Sequence, residues 1–282
     1  IFYGPPGIGK YNQVLYSIKK YSNSSLKYEK KITIQHNKHE YMLKISDIHY
    51  EVDFGLLGCN AKILWNDIFQ HIIDIIIAKT DKSGIIVCKN FEMIHTELLD
   101  IFYSYMQTTI YGHCNIIFCL LTSNISFIPD NIVNICKIIK IPRPSKHNYS
   151  KVSKKINNKN YKVNEITNIK QLTNNIVLDD TINTKVCKNI TDFIVNVSKN
   201  GKIKYSVLRD YLYDILIYNL DVYECIWFIL CDLVDREMIN NKNLGKITHK
   251  TYNFLSLYNN NYRPIYHLEL FVLSLIKYIH EF

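Results

Sequence analysis

Arginine is scarce in this chain. Only Arg143, Arg209, Arg236 and Arg263 occur in 282 residues, and the first 142 hold none. Proteins that read phosphates and base edges favour the arginine fork. The net charge of +9 is therefore carried by lysine, and it permits a polyanionic partner without demanding one. Part of the lysine excess tracks the abundance of Ile, Asn and Tyr, all residues of A/T-rich codons. None of the eight cysteines forms a C-x-x-C pair. The nearest pairs, Cys114 with Cys119 and Cys225 with Cys231, lack the spacing of a zinc site. Cys88 in "IIVC" and Cys119 in "IIFCLL" lie in apolar runs, which suits buried reduced thiols. His36 and His39 fall short of a ligand set and read as surface residues. No apolar run reaches the about 18 residues of a membrane span, and no signal peptide is visible. The chain opens at Ile1 rather than Met and reads as a fragment. Its 48% hydrophobic and 21% charged residues are those of an ordinary globular protein with a sizeable core, and its length allows two domains or three small ones.

Against these absences stands one strong motif near the start, "FYGPPGIGK". From Gly4 it reads G-x-x-x-x-G-K, a glycine-rich loop whose backbone N–H groups, at the start of a helix, wrap phosphates while a lysine reaches their oxygens. The candidate nucleotide-binding residues are Gly4, Pro5, Pro6, Gly7, Ile8, Gly9, Lys10 and Tyr11, and the expected ligand is ATP or ADP. The plain alternative is a Gly/Pro turn that opens a helix. Position 11 departs from the motif, because a Ser or Thr hydroxyl there holds Mg²⁺. The Tyr11 hydroxyl sits at the far side of a ring, and Asn12 is off register.

The surrounding pattern suits such a loop. "IFY" reads as a strand end, and the stretch after Lys10 places Val14, Leu15 and Ile18 at helical spacing. "KKITI", "EYMLKI" and "DIHYEVD" are short strand candidates. "AKILWNDIFQHIIDIIIAK" is a helix apolar nearly all round, to be buried on more than one side. "GIIVC", "NIIFCLL" and "KIIKI" read as central parallel strands, with the amphipathic "HTELLDIFYSYMQ" after the first. Strands alternating with helices predict an α/β domain, doubly wound around a parallel sheet. "PRPS" breaks that pattern, and 146–164 is a Lys/Asn/Ser-rich linker or poorly packed helical segment. Three helix-period segments, "LRDYLYDILIY", "VYECIWFILCDLVDRE" and "PIYHLELFVLSLIKYIHEF", then predict an all-α bundle. The expected domains are 1–143 (α/β, truncated at its start), 144–199 (helical lid with the linker) and 200–282 (helical collar).

Taken in order, these segments resemble a small subunit of the replication factor C clamp loader, within the AAA+ ATPases. "FYGPPGIGK" is similar to that family's phosphate loop. "IIVCKNFEMIHTELLDIFYSYMQ" stands at its Walker B strand and following helix. "TSNISFIPDNIVNICKIIKIPRPS" resembles its sensor-1 strand, SRC region and the strand leading to the lid, and "PIYHLELFV" the end of its collar. The Lys/Asn-rich style resembles versions encoded by large DNA viruses. The resemblance implies a hetero-oligomer with sister subunits that opens a ring-shaped sliding clamp on primed double-stranded DNA. It also implies an intracellular, soluble protein, in the nucleus or a viral replication factory, without a membrane.

Residue by residue, the resemblance implies a weakened site. Lys89 and Asn90 stand where the Walker B acids hold the Mg²⁺ shell and orient the attacking water. Glu92, two residues further on, is expected to project elsewhere. Leu121 replaces the polar sensor-1 residue, with Ser123 and Asn124 as nearby substitutes that are also turn formers. Ile135, in Asn134-Ile135-Cys136, replaces the SRC arginine, and Lys170 replaces the sensor-2 arginine. A lysine at the metal position opposes Mg²⁺. Phosphoryl transfer depends on positioning and charge neutralisation, and an arginine finger alone contributes about 10³ to 10⁵ in rate. The first expectation is thus a nucleotide-binding or structural clamp-loader subunit that does not hydrolyse ATP and has no catalytic or metal-binding residues of its own. Two alternatives stay open: an independent P-loop NTPase with displaced groups such as Glu92 or Asp53, and a degenerate scaffold that binds no nucleotide.

Overall fold

The computed structural model describes residues 1–36, 39–107, 114–156, 182–200, 204–258 and 263–280. The chain divides into two compact units, Ile1–Asn175 and Ile176–Phe282.

The first unit is the α/β domain expected of the sequence. Its strands are β1 (Phe2–Tyr3), β2 (Glu29–His36), β3 (His39–Ser46), β4 (His49–Asp53), β5 (Ser83–Lys89), β6 (Asn115–Thr122) and β7 (Ile139–Lys140). They form one sheet in the order β2-β3-β4-β5-β6-β1-β7. β1 and β4 to β7 run parallel, while β2 and β3 form a hairpin that adds to β4 antiparallel. β6 thus lies between β1 and β5, leaving the loop after β1 and the end of β5 one strand apart.

Period-two alternation sorts the central strands onto two faces. On one, Ile86, Cys88 and Leu120 pack with Trp65, Phe69 and Phe102 from α2 (Ala61–Ile77) and α3 (Thr96–Met106). Trp65 and Phe102 are fully buried, and their rings lie 5.3 Å apart. On the other, Ile85, Val87, Cys119 and Leu121 meet Val14 and Ile18 of α1 (Lys10–Lys19). α2 is buried along most of its length, as its near-continuous apolar pattern requires. α4 (Asp130–Ile135) and α5 (Lys146–Ile156) complete the unit, so the polar segment after "PRPS" begins as a helix.

The second unit is all α among its described residues. It contains α6 (Ile182–Asn200), α7 (Tyr205–Ile217), α8 (Val222–Asp235), α9 (Asn241–Leu257) and α10 (Pro264–His280). Its core joins Val186, Ile190 and Ile194 of α6 to Leu212, Ile229, Phe271 and Leu275. α6 therefore belongs to this bundle, whereas the sequence reading placed 144–199 together as a lid. The physical reason is its spacing of Val186, Ile190, Ile194 and Val197, one buried stripe that needs the other helices to cover it. α9 escaped the reading because it buries only Ile247 and Phe254. Asp221 starts α8 by accepting the Tyr223 and Glu224 N–H groups.

All eight cysteines are free thiols. Cys88, Cys114, Cys119, Cys187 and Cys225 are buried, Cys136 and Cys231 are half-buried, and Cys59 is exposed. Burial pushes the Cys88 thiol up and takes Cys119 to about 11, which keeps both protonated and unreactive. Among the described residues no helix is long and apolar enough to cross a membrane.

Candidate nucleotide pocket

The glycine-rich loop joins β1 to α1, the strand–loop–helix context a phosphate loop requires. Its glycines are there for steric reasons. A Cβ on Gly4 would lie 2.5 Å from the Ile141 carbonyl oxygen and 2.7 Å from Ile8 Cδ1. Gly7 and Gly9 have φ of 73° and 91°, the left-handed region in which glycine alone carries no Cβ penalty. Gly9 is the residue that opens α1. No side chain caps that helix start, and its first turn carries no acidic residue. The positive end of the helix is thus left to whatever occupies the space before it.

That space is a cavity of about 530 Å³ lined by Pro6, Gly7, Gly9, Lys10, Tyr11, Asn12, Lys89, Asn90, Glu92 and Leu121. The volume lies in the range of small-molecule sites. Lys10 folds back over the loop, and its ammonium donates to the Gly4 carbonyl at 2.7 Å and the Pro5 carbonyl at 3.0 Å. Glycine-rich loop, helix start and ammonium are the parts a polyphosphate needs, and the residues here fit one.

The fit to Mg²⁺ fails. Tyr11 and Lys89 stand where the resemblance calls for a metal-binding hydroxyl and carboxylate, and they touch each other. The Lys89 ammonium lies 5.0 Å from the centre of the Tyr11 ring, a cation–π distance. Both are tied to Glu51, which the sequence reading missed. Tyr11 donates its hydroxyl proton to Glu51 Oε1 at 2.6 Å, and Lys89 Nζ lies 3.7 Å from Glu51 Oε2. Lys44 reaches Glu51 Oε1 at 3.2 Å and donates to the Tyr11 hydroxyl at 3.0 Å, and His49 Nε2 is 3.0 Å from the same carboxylate oxygen. Register explains the assembly. Lys44 of β3 stands directly opposite Glu51 of β4, which is level with Val87 of β5, and Lys89 follows on the same face.

Glu51 is 4% exposed and His49 fully buried. Burial alone would raise the Glu51 carboxyl, but hydrogen bonds from His49 and Tyr11 and the Lys44 charge outweigh it and bring it down to about 2. Burial is the largest influence on Tyr11, and with the hydrogen bond to Glu51 it raises the phenol, so the hydroxyl stays a donor. Glu29, His49 and Glu51 also bring three ligand-type atoms within 4.8 Å of one another. Lys44 lies 2.8 Å from Glu29 and 3.2 Å from Glu51, so an ammonium already supplies the cation there. At an effective dielectric of 20, like unit charges about 4 Å apart repel by roughly 4 kcal/mol. A divalent ion beside Lys89 would meet about twice that.

The other predicted positions are distributed as follows. Glu92, in a 3-10 turn at Phe91–Met93, lines the cavity rather than projecting elsewhere. The left-handed Asn90, at φ 50°, turns the chain there. Both Glu92 oxygens are held by Ser123, which donates its hydroxyl at 2.8 Å and its N–H at 3.2 Å. Asn124 forms a turn with the Thr122 hydroxyl. Asp53 does not line the cavity. It accepts the Gly55 N–H at 3.1 Å and the Asn90 amide at 2.9 Å. Leu121 lies under the loop in the α1-side core. Ile135 is half-exposed on α4, and Lys170 lies outside the described residues. The signal that could have found Glu51 is its place in β4, a strand with four consecutive buried residues. A carboxylate there must be paired.

No family model and no curated protein matches the chain. Solved structures do match. One, described as the structure of C. elegans PCH-2, is 13% identical, with an alignment covering 84% of this chain at a TM-score of 0.36. This chain spans 61% of that chain's length.

Proposed function

We propose that this chain is an AAA+-type nucleotide-binding subunit that holds ATP or ADP without hydrolysing it, and that it serves a replication factor C-like clamp loader in DNA replication. The observation that carries the nucleotide-binding part is the glycine-rich loop, left-handed at Gly7 and Gly9, placing Lys10 and an uncapped helix start on a 530 Å³ cavity. Absence of hydrolysis follows from the far wall. Lys89 and Tyr11 occupy the positions of metal ligands and are locked there by Glu51, so neither charge neutralisation by Mg²⁺ nor a water-orienting acid at position 90 is available to phosphoryl transfer. Titration with a fluorescent ATP analogue tests the reading. Lys10→Ala should weaken binding at least about tenfold, the worth of one charge-assisted contact. Turnover of ATP should stay at background. A turnover that requires Mg²⁺ and Lys10 would overturn it.

The clamp-loader part rests on the order of the sequence segments and on an α/β unit followed by a helical unit. It implies sister subunits, a sliding clamp and primed DNA as partners, with DNA held by salt-sensitive lysine–phosphate contacts. A pull-down with clamp and sister subunits decides it, and a chain that captures neither contradicts it. One observation favours a second reading, an NTPase with displaced groups: Glu92 lines the cavity with a carboxylate held by Ser123. Under that reading Glu92→Gln would abolish a measurable turnover.

A further inference from the structure

Tyr11 and Lys89, taken singly, read as two losses. In the fold they are one arrangement. The Lys89 ammonium stacks on the Tyr11 ring, and Glu51 holds both from behind, with Lys44 and His49 completing its shell. Lys89 keeps a third of its side chain exposed and lines the cavity together with Lys10. An ammonium carried by β5, its charge shared with Glu51 behind it, therefore stands on the cavity lining beside the glycine-rich loop. The one carboxylate among the described lining residues is Glu92, and Ser123 takes both of its oxygens.

We propose that the pocket takes a nucleoside di- or triphosphate as the metal-free anion, with Lys89 supplying the charge that a divalent cation otherwise brings, and that Mg²⁺ weakens binding. This rests on the nucleotide-binding reading above. A polyphosphate seated on Gly7 to Lys10 would lie in the cavity that Lys89 also lines. A Mg²⁺ ion on its oxygens would compete with Lys89 for the same lone pairs and add positive charge between two ammonium groups. The retained loop and the altered far wall then serve a single ligand state.

The test uses the whole chain and a fluorescent ATP analogue, titrated in excess EDTA and in millimolar Mg²⁺ at matched ionic strength. Binding should be tighter in EDTA by severalfold. Lys89→Met should weaken the EDTA affinity about tenfold and shrink the Mg²⁺ penalty, while Lys89→Arg keeps most of both. A purely structural role for Lys89 would leave the size of the Mg²⁺ penalty unchanged in Lys89→Met. Tighter binding in Mg²⁺, or a Lys89→Met variant that binds like the native chain, overturns the inference and leaves Lys10-dependent nucleotide binding standing. No binding in either buffer overturns both. Should Lys89→Met fail to fold, the metal comparison on the native chain and on Lys89→Arg decides alone.

Discussion

The two walls of the cavity are built on different physics. The loop wall is made by backbone: Gly4 where a Cβ would meet the Ile141 carbonyl, Gly7 and Gly9 at positive φ, and a helix start left uncapped. The opposite wall is made by side chains, where Tyr11 and Lys89 line the cavity and Glu51 holds both from behind, with Lys44 and His49 around it. A backbone wall offers donors whose directions are fixed by chain geometry. A charged wall works only while its members balance, since each buried charge without its partner is costly. The comparison teaches that two departures from a motif can be one replacement, provided they touch.

That difference can be tested by breaking the charged wall first. Glu51→Gln should cost the most, on the order of 3 kcal/mol, because it takes the carboxylate from Lys89 and leaves Lys44 with Glu29 alone. Chemical denaturation of the α/β unit would measure it, and a cost under about 1 kcal/mol would show that the charges do not depend on each other. The same carboxylate sets an acid limb. Its folded value of about 2 lies below its ordinary value, so its contribution is fully present above roughly pH 4.5 and is lost as pH falls toward 2. In Glu51→Gln that part of the acid transition should flatten. Tyr11→Phe removes one hydroxyl and keeps the ring under Lys89, so a loss near 1 kcal/mol is expected, read as a shift in melting temperature. The smallest effect belongs to the helical unit, where Arg209 pairs with Glu269 on the surface. Arg209→Met should change the melting temperature least, and by still less at high salt.

The loop wall was legible because it is local. Seven consecutive residues from Gly4 to Lys10 carry its geometry, and the adjacent helix pattern at Val14 and Ile18 gives it context. "GIIVC" was legible for a similar reason, since it is buried on both faces and shows it in composition, whereas "KIIKI", expected as a central strand, holds only the exposed edge strand β7. α6 was harder, since its apolar stripe says that it is buried without saying against what, and its partners α7, α8 and α10 come later in the chain. Glu92 was misjudged because a turn, with Asn90 in the left-handed region, brings it back to the cavity.

The sequence by itself determined the glycine-rich loop between strand and helix, the α/β character of the first unit and the helical character of the second. Each follows from spacing within a few residues, where backbone geometry and side-chain periodicity act directly. Only the tertiary structure decided what became of the metal position. Residues 11, 44, 49, 51 and 89 come from one helix and three strands, and strand register alone sets Lys44 opposite Glu51 and Glu51 level with Val87, two residues before Lys89. Electrostatic partners are chosen by distance in space, and spacing along the chain does not encode that distance until the sheet has formed.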